Sequence, residues 1–329
     1  MSHDDSDRSD DGPFQVLSLD GGGIKGTFTA GFLAGIEEGT GKRIVDHFDL
    51  ISGTSTGGII ALGLGLGLSG REILDFYRNE GHRIFRSVPG PRALSGLRQL
   101  WVPRHPTQPL QQALEGAFAA RTLGESTTRL VIVSYDGVGG DIHLLKTAHH
   151  PRFRRDYKRT AVEVALATSA APVFFQTSQQ DGRCEIDGGV WANCPALVGA
   201  VEALRVVVPR PRRVSILSVG TTSEPFHVRH QWRNAGLGRW NKGVVDLLMQ
   251  AQVKGALAQA ALLVGKENFM RVDRVVKPRR FRMDDPSEIP DLVDLGRGAA
   301  RNAEPEVLAR FLSRPAPPFR PFHPERANS

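Results

Sequence analysis

Short apolar runs alternate with stretches of helical period along most of the chain. Phe14–Leu19, 48–51, 130–135 and Val214–Val219 are four to six residues long and rich in Val, Ile and Leu, which predicts buried strands. The run 142–147 reads as a hairpin partner of the third, joined through the Asp136-Gly137-Val138-Gly139-Gly140 turn. Cys184-Glu185-Ile186 leads into Asp187-Gly188-Gly189, and 269–273 reads as a last strand. Between these runs the spacing becomes helical. A helix follows Gly26 with Phe28, Phe32, Leu33 and Ile36 on one side, and an apolar helix starts at Gly57. Ser69-Gly70-Arg71-Glu72 is a capping box opening a helix through about Arg78. Further helices are predicted over 107–120 (Leu110, Leu114, Ala117 and Phe118 inward), 160–168, 195–206 and 305–312. A long one spans 241–264, with a stripe through Val245, Leu248, Val253, Leu257 and Ala261. Strands alternating with helices predict an α/β domain with a mainly parallel sheet covered on both faces.

Three stretches fall outside this rhythm. Residues 1–12 are an acidic tail, 314–329 a Pro-rich extended and mobile tail, and 13–313 the folded domain. Residues 81–107 mix His82, Arg83, Arg86, Arg92, Arg98 and Arg104 with exposed-looking Phe85, Leu94, Leu97, Leu100 and Trp101. That segment reads as an insertion, either a lid or a plain connection. The net charge is +7, and the acidic tail leaves the folded part more basic than this total. A basic surface suits anionic membranes, nucleotides or nucleic acid. Two cysteines, Cys184 and Cys194, make neither a disulfide framework nor a metal set, so no metal and no cofactor are expected. The longest apolar run, 57–68, is too short to span a bilayer, and no apolar segment follows a basic start. The expectation is a cytoplasmic chain whose contact with membrane is peripheral.

The chemistry gathers in three motifs. Gly53-Thr54-Ser55-Thr56-Gly57 lies between a strand and a helix, the pattern of a nucleophile elbow. A tight turn there holds Ser55 in a strained conformation and needs small neighbours. Asp20-Gly21-Gly22-Gly23-Ile24-Lys25-Gly26 follows the first strand and offers an anion cradle of backbone amides. It fails as a P-loop, because no Lys-Ser or Lys-Thr pair follows its last Gly. Asp187-Gly188-Gly189 supplies a carboxylate. All three would meet at the carboxyl ends of the strands, where open α/β sheets place their sites. Ser55 would be the nucleophile, Asp187 its base, and the amides of Gly21, Gly22 and Gly23 the oxyanion hole.

In order and spacing these motifs resemble the patatin-like phospholipase family, with Ser169-Ala170-Ala171-Pro172 similar to the small-residue segment before the family's catalytic Asp. The resemblance covers roughly 14–220. It implies a three-layer α/β/α fold, a Ser55–Asp187 dyad, and hydrolysis of acyl esters in phospholipid or neutral lipid. It carries Asp20, Lys25, Gly26, Gly53, Gly57, Gly188 and Gly189 over as motif residues. Compact bacterial members include effectors of cyclic-oligonucleotide-based antiphage defence, which a nucleotide switches on to degrade membrane. That implies a membrane phospholipid substrate, a cyclic nucleotide activator, action at the inner membrane, and leaves an oligomer open. A housekeeping acyl hydrolase fits the residues as well.

Two rivals stand beside this reading. A Ser–His–Asp hydrolase would use His227 or His230 after the strand ending at Val219, although the elbow falls too early in the chain for that fold. A non-catalytic nucleotide-binding regulator would use the loop at 21–26 and need no Ser55. Nucleic-acid binding through 152–159 or 271–282 rests on charge alone and is not expected.

Overall fold

The computed structural model describes residues 12–85, 103–180, 182–207, 213–225 and 237–323. In chain order the elements are β1 (Phe14–Leu19), α1 (Gly26–Thr40), β2 (Leu50–Thr54), α2 (Thr56–Gly65), α3 (Gly70–Ile84), α4 (Thr107–Phe118), β3 (Arg129–Asp136), β4 (Asp141–Lys146) and α5 (Ala161–Ser169). They continue with β5 (Ser178–Gln180), β6 (Arg183–Asp187), the short α6 (Gly189–Ala192), α7 (Ala196–Val201), β7 (Val214–Val219), α8 (Leu237–Val264), β8 (Phe269–Val272) and α9 (Ile289–Arg310).

The sheet runs β5-β6-β3-β2-β1-β7-β8, with β4 on β3. Its centre, β3-β2-β1-β7-β8, is parallel throughout. Side chains alternate across it. Leu17, Leu19, Ile51 and Ile132 join the larger core under α1, α2, α3, α5 and α9, while Val16, Leu50, Val131 and Ile216 join a second core under α7 and α8. The result is the expected three-layer α/β/α arrangement, and the period of two along each strand is what divides the cores. The capping box forms as predicted: Ser69 Oγ accepts from Glu72 N, and Glu72 Oε2 accepts from Ser69 N.

Several expectations change. The second strand starts at Leu50 and runs up to the elbow. The last helix is α9, with Pro305 inside it, where the sequence pattern had placed a helix start. Phe85 is buried, its ring edge-on to Phe175 and His105. Arg104 is paired with Asp284 at 2.9 Å. Leu248, assigned to the inward stripe of the long helix, is 62% exposed. That helix also contains a stretch, Asp246–Val264, long and apolar enough to cross a membrane by length and composition. Asp246 and Lys254 interrupt it, which hid it from a search for unbroken apolar runs. The chain after α9 forms no helix or strand through 323 and is anchored, with Ala316 N on Asp46 O and Phe322 N on Ala148 O. Most of the 81–107 insertion, including Trp101, and both His227 and His230 lie outside the described residues, as do 1–11 and 324–329.

Candidate active site

The site is assembled by one feature of the sheet. β2 pairs with β3 only as far as Thr54 opposite Val133. There it turns off into the elbow. β4 occupies the far edge of β3 along Val131 to Asp136. The edge that β2 vacates is therefore the one taken by β6, whose Asp187 pairs with Ser134, the position next to Val133. The strand that leads to Ser55 leaves the sheet where the strand that carries Asp187 enters it. Ser55 Oγ donates to Asp187 Oδ2 at 2.6 Å with no imidazole between them.

Each partner is held by main chain. Ser55 sits at φ 54°, ψ −123°, a strained conformation for a residue with a Cβ. Gly57 is required by close approach: a Cβ there would lie 2.2 Å from Leu19 O. Gly53 and Gly188 likewise back onto carbonyls, those of Gly57 and Val133. Ser55 N donates to Thr168 Oγ1, and Thr168 Oγ1 donates to Val133 O. Asp187 accepts from Gly189 N at 2.7 Å through its other oxygen, and its own amide donates to Ala170 O. Burial pushes the Asp187 carboxyl up to about 6, opposed by the hydrogen bonds from Ser55 and Gly189. A carboxyl shifted this way is a better base than an ordinary one, and only its ionised form can take a proton. Ester hydrolysis is therefore expected to fall as pH drops through about 6 and to level off above it, checked by a kcat/KM profile on a soluble short-chain ester.

The glycine loop lies against the elbow. A Cβ on Gly21 would be 3.2 Å from Ser55 Cβ. The three expected oxyanion amides are not equivalent. Gly21 N already donates to Asn193 O at 2.9 Å, whereas the amides of Gly22 and Gly23 have no partner among the described residues. Gly23 has φ 59°, and a Cβ there would strike Met283 O, which accepts from Ile24 N. Gly26, at the start of α1, leaves room for the Thr56 side chain, and Thr56 Oγ1 shares a hydrogen bond with the Tyr77 hydroxyl.

The loop's two charged residues are committed elsewhere. Asp20, buried, accepts from Arg271 at 2.7 Å, and Arg271 also bonds Asp273 and Ser218. Burial raises the Asp20 carboxyl, with Arg271 opposing. Lys25 Nζ donates to Thr222 O at 3.3 Å, and burial pushes its ammonium down. Both residues support the loop from behind. A solvent-open cavity of about 400 Å³, with Leu110, Leu166 and Phe175 on its wall, reaches Ala170, whose carbonyl accepts from Asp187 N; neither Ser55 nor Asp187 lines it. Among the described residues no group of three His, Cys, Asp or Glu side chains is placed to hold a metal.

Thr168, Asn193 and Arg271 were not singled out from the sequence. Thr168 adjoins the Ser-Ala-Ala-Pro segment that carried part of the resemblance, so a local signal existed. Asn193 Nδ2 donates to Gly21 O across 172 positions, and nothing local marks it or Arg271.

A serine on a strained strand-to-helix turn, facing a carboxylate and two glycine amides with no partner among the described residues, defines a serine hydrolase class of site. The chain belongs to the patatin-like phospholipase family: the family model described as "Patatin-like phospholipase" matches residues 17–199. It is 32% identical to a cGAMP-activated phospholipase of Pseudomonas aeruginosa, over 96% of this chain and 93% of the relative. It is 32% identical to a cGAMP-activated phospholipase of Vibrio cholerae, over 93% of this chain and 96% of the relative. Patatin-like protein 2 of Arabidopsis thaliana is 32% identical over 72% of this chain and 68% of the relative. The protein is accordingly a lipid acyl hydrolase of this family.

Proposed function

We propose that the protein hydrolyses acyl esters of membrane phospholipids through a Ser55–Asp187 dyad, and that a cyclic nucleotide switches it on. The 2.6 Å contact between Ser55 Oγ and Asp187 Oδ2 carries the chemical part. As Ser55 Oγ attacks the ester carbon, its proton passes to Asp187 Oδ2. The developing oxyanion meets the amides of Gly22 and Gly23 and the N-terminus of α2. Collapse breaks the bond to the leaving alcohol, which takes the proton from Asp187 and departs as the lysophospholipid. Water then attacks the acyl-serine, giving its proton to Asp187. The fatty acid leaves, and Ser55 Oγ recovers its proton. The cavity beside Ala170 offers Leu110, Leu166 and Phe175 to the acyl chain.

The switch rests on the relatives' names and on the need to restrain an enzyme that would attack its own cell's membrane. The working place is then the inner face of that membrane, reached peripherally from the cytoplasm, and the outcome is membrane degradation in antiphage defence. The test is release of fatty acid from phospholipid vesicles with and without cGAMP and other cyclic nucleotides. Release that needs a cyclic nucleotide is expected. Equal release without any nucleotide would leave an unswitched phospholipase, and no release under any condition would remove the phospholipid reading.

A further inference from the structure

We propose that the outer face of α8 is a self-association surface, pairing antiparallel with the same helix of a second copy across a two-fold axis at Gly255. This inference is independent of the catalytic reading. One side of α8 packs on the domain: Ala260 is buried, and Val253, Ala256, Leu257 and Val264 join the core beneath it. The other side carries Val244, Leu248, Ala251, Gly255, Ala258 and Leu262. These positions alternate in steps of four and three, the spacing of a helix seam that meets another helix. The seam is open to water, with Leu248 62% and Leu262 72% exposed and Leu263 beside it 51% exposed. A contiguous apolar face of this length marks an interaction site.

Its occupant is indicated by three features. A Cβ added at Gly255 would meet nothing within 4 Å, so no contact among the described residues requires a glycine there. A glycine inside a helix weakens it. What Gly255 does provide, flanked by Ala251 and Ala258, is a shallow point where another helix backbone can come close. The two large exposed residues of the seam are also placed symmetrically. Leu248 and Leu262 lie seven residues to either side of Gly255, so an antiparallel copy centred there sets each Leu248 against the other's Leu262. The same register sets Ala251 against Gln259 and Ala258 against Gln252, so the leucine pair supplies the self-complementarity that an isologous two-fold interface needs. Finally, Lys254 is the sole charged residue from 247 to 265, and it stands off the seam. Helices that lie on anionic lipid carry Lys and Arg along their polar face. On α8 that opposite face is taken up by the protein's own core, which also rules against lipid all round the helix.

The test uses the full chain in sedimentation velocity over a dilution series. The wild type is expected to show a monomer–dimer equilibrium, and L248E/L262E to be monomeric at every concentration. Under mild oxidation in a Cys184→Ser background, Gly255→Cys is expected to form a covalent dimer while Ala251→Cys does not. Gly255→Leu covers the case in which the glutamate variant fails to fold. It favours the helix yet blocks close approach, so it is expected to keep the fold, seen by circular dichroism, and to lose the dimer. Flotation with vesicles of mixed neutral and anionic phospholipid is the competing arm. A wild type that is monomeric throughout would overturn the proposal. So would a dimer that survives Gly255→Leu, or a monomer that floats through Leu248 and Leu262.

Discussion

Ser55→Ala is expected to lower hydrolysis of both vesicles and short-chain esters by ~10⁴-fold or more, as loss of a catalytic nucleophile does elsewhere. The thermal midpoint should be unchanged or higher, because the substitution removes one hydroxyl and leaves the positive φ of the turn in place. The elbow does not depend on that hydroxyl. Gly53, Gly57 and the bond from Ser55 N to Thr168 set its geometry. Ester hydrolysis and a melting curve on the same sample separate the two effects. A variant that keeps wild-type hydrolysis would remove Ser55 from the mechanism.

Asp187→Asn is expected to cost ~10²–10⁴-fold in kcat, the usual effect of losing a general base. Its effect on stability should have the opposite sign. The folded carboxyl titrates at about 6, above its ordinary 3.8. The protonated form is thus favoured by folding. That contribution is present below pH 3.8 and is lost as pH rises through about 6, so at pH 8 the buried ionised Asp187 weighs against the fold. The two values differ by an amount worth ~3 kcal/mol, an upper bound because the asparagine still needs partners. Asp187→Asn should therefore melt at or above the wild-type temperature at pH 8, with that advantage shrinking toward pH 4. Replacing His227 or His230 should leave most of the activity. Near-complete loss at either histidine, with Asp187→Asn still active, would favour a triad.

The site was legible in the sequence because its demands are local. Gly53 is fixed by main-chain contacts within the same strand-turn-helix unit, Gly57 by the Leu19 carbonyl at the end of the neighbouring β1, and Gly23 by its own φ. The parallel central strands were legible as apolar runs for the same reason, whereas the polar edge strand β5 was not. What stayed hidden depends on distant chain. β6 enters antiparallel into an edge that β2 leaves, and no period in 183–187 encodes that. Arg271 reaches back to Asp20 across 251 positions. Gly21 looks like Gly22 and Gly23 until Asn193 takes its amide. Pro305 reads as a helix start, but it lies within a helix whose other residues pack firmly on α1. Phe85 sits in an Arg-rich stretch and looks exposed until Phe175 and His105 are brought against it.

The most direct test of the central claim is covalent labelling with a fluorophosphonate followed by peptide mass spectrometry. The adduct is predicted on Ser55, absent from Ser55→Ala, and slower to form in Asp187→Asn and below pH 6. An adduct on another residue, or undiminished labelling of Ser55→Ala, would contradict it.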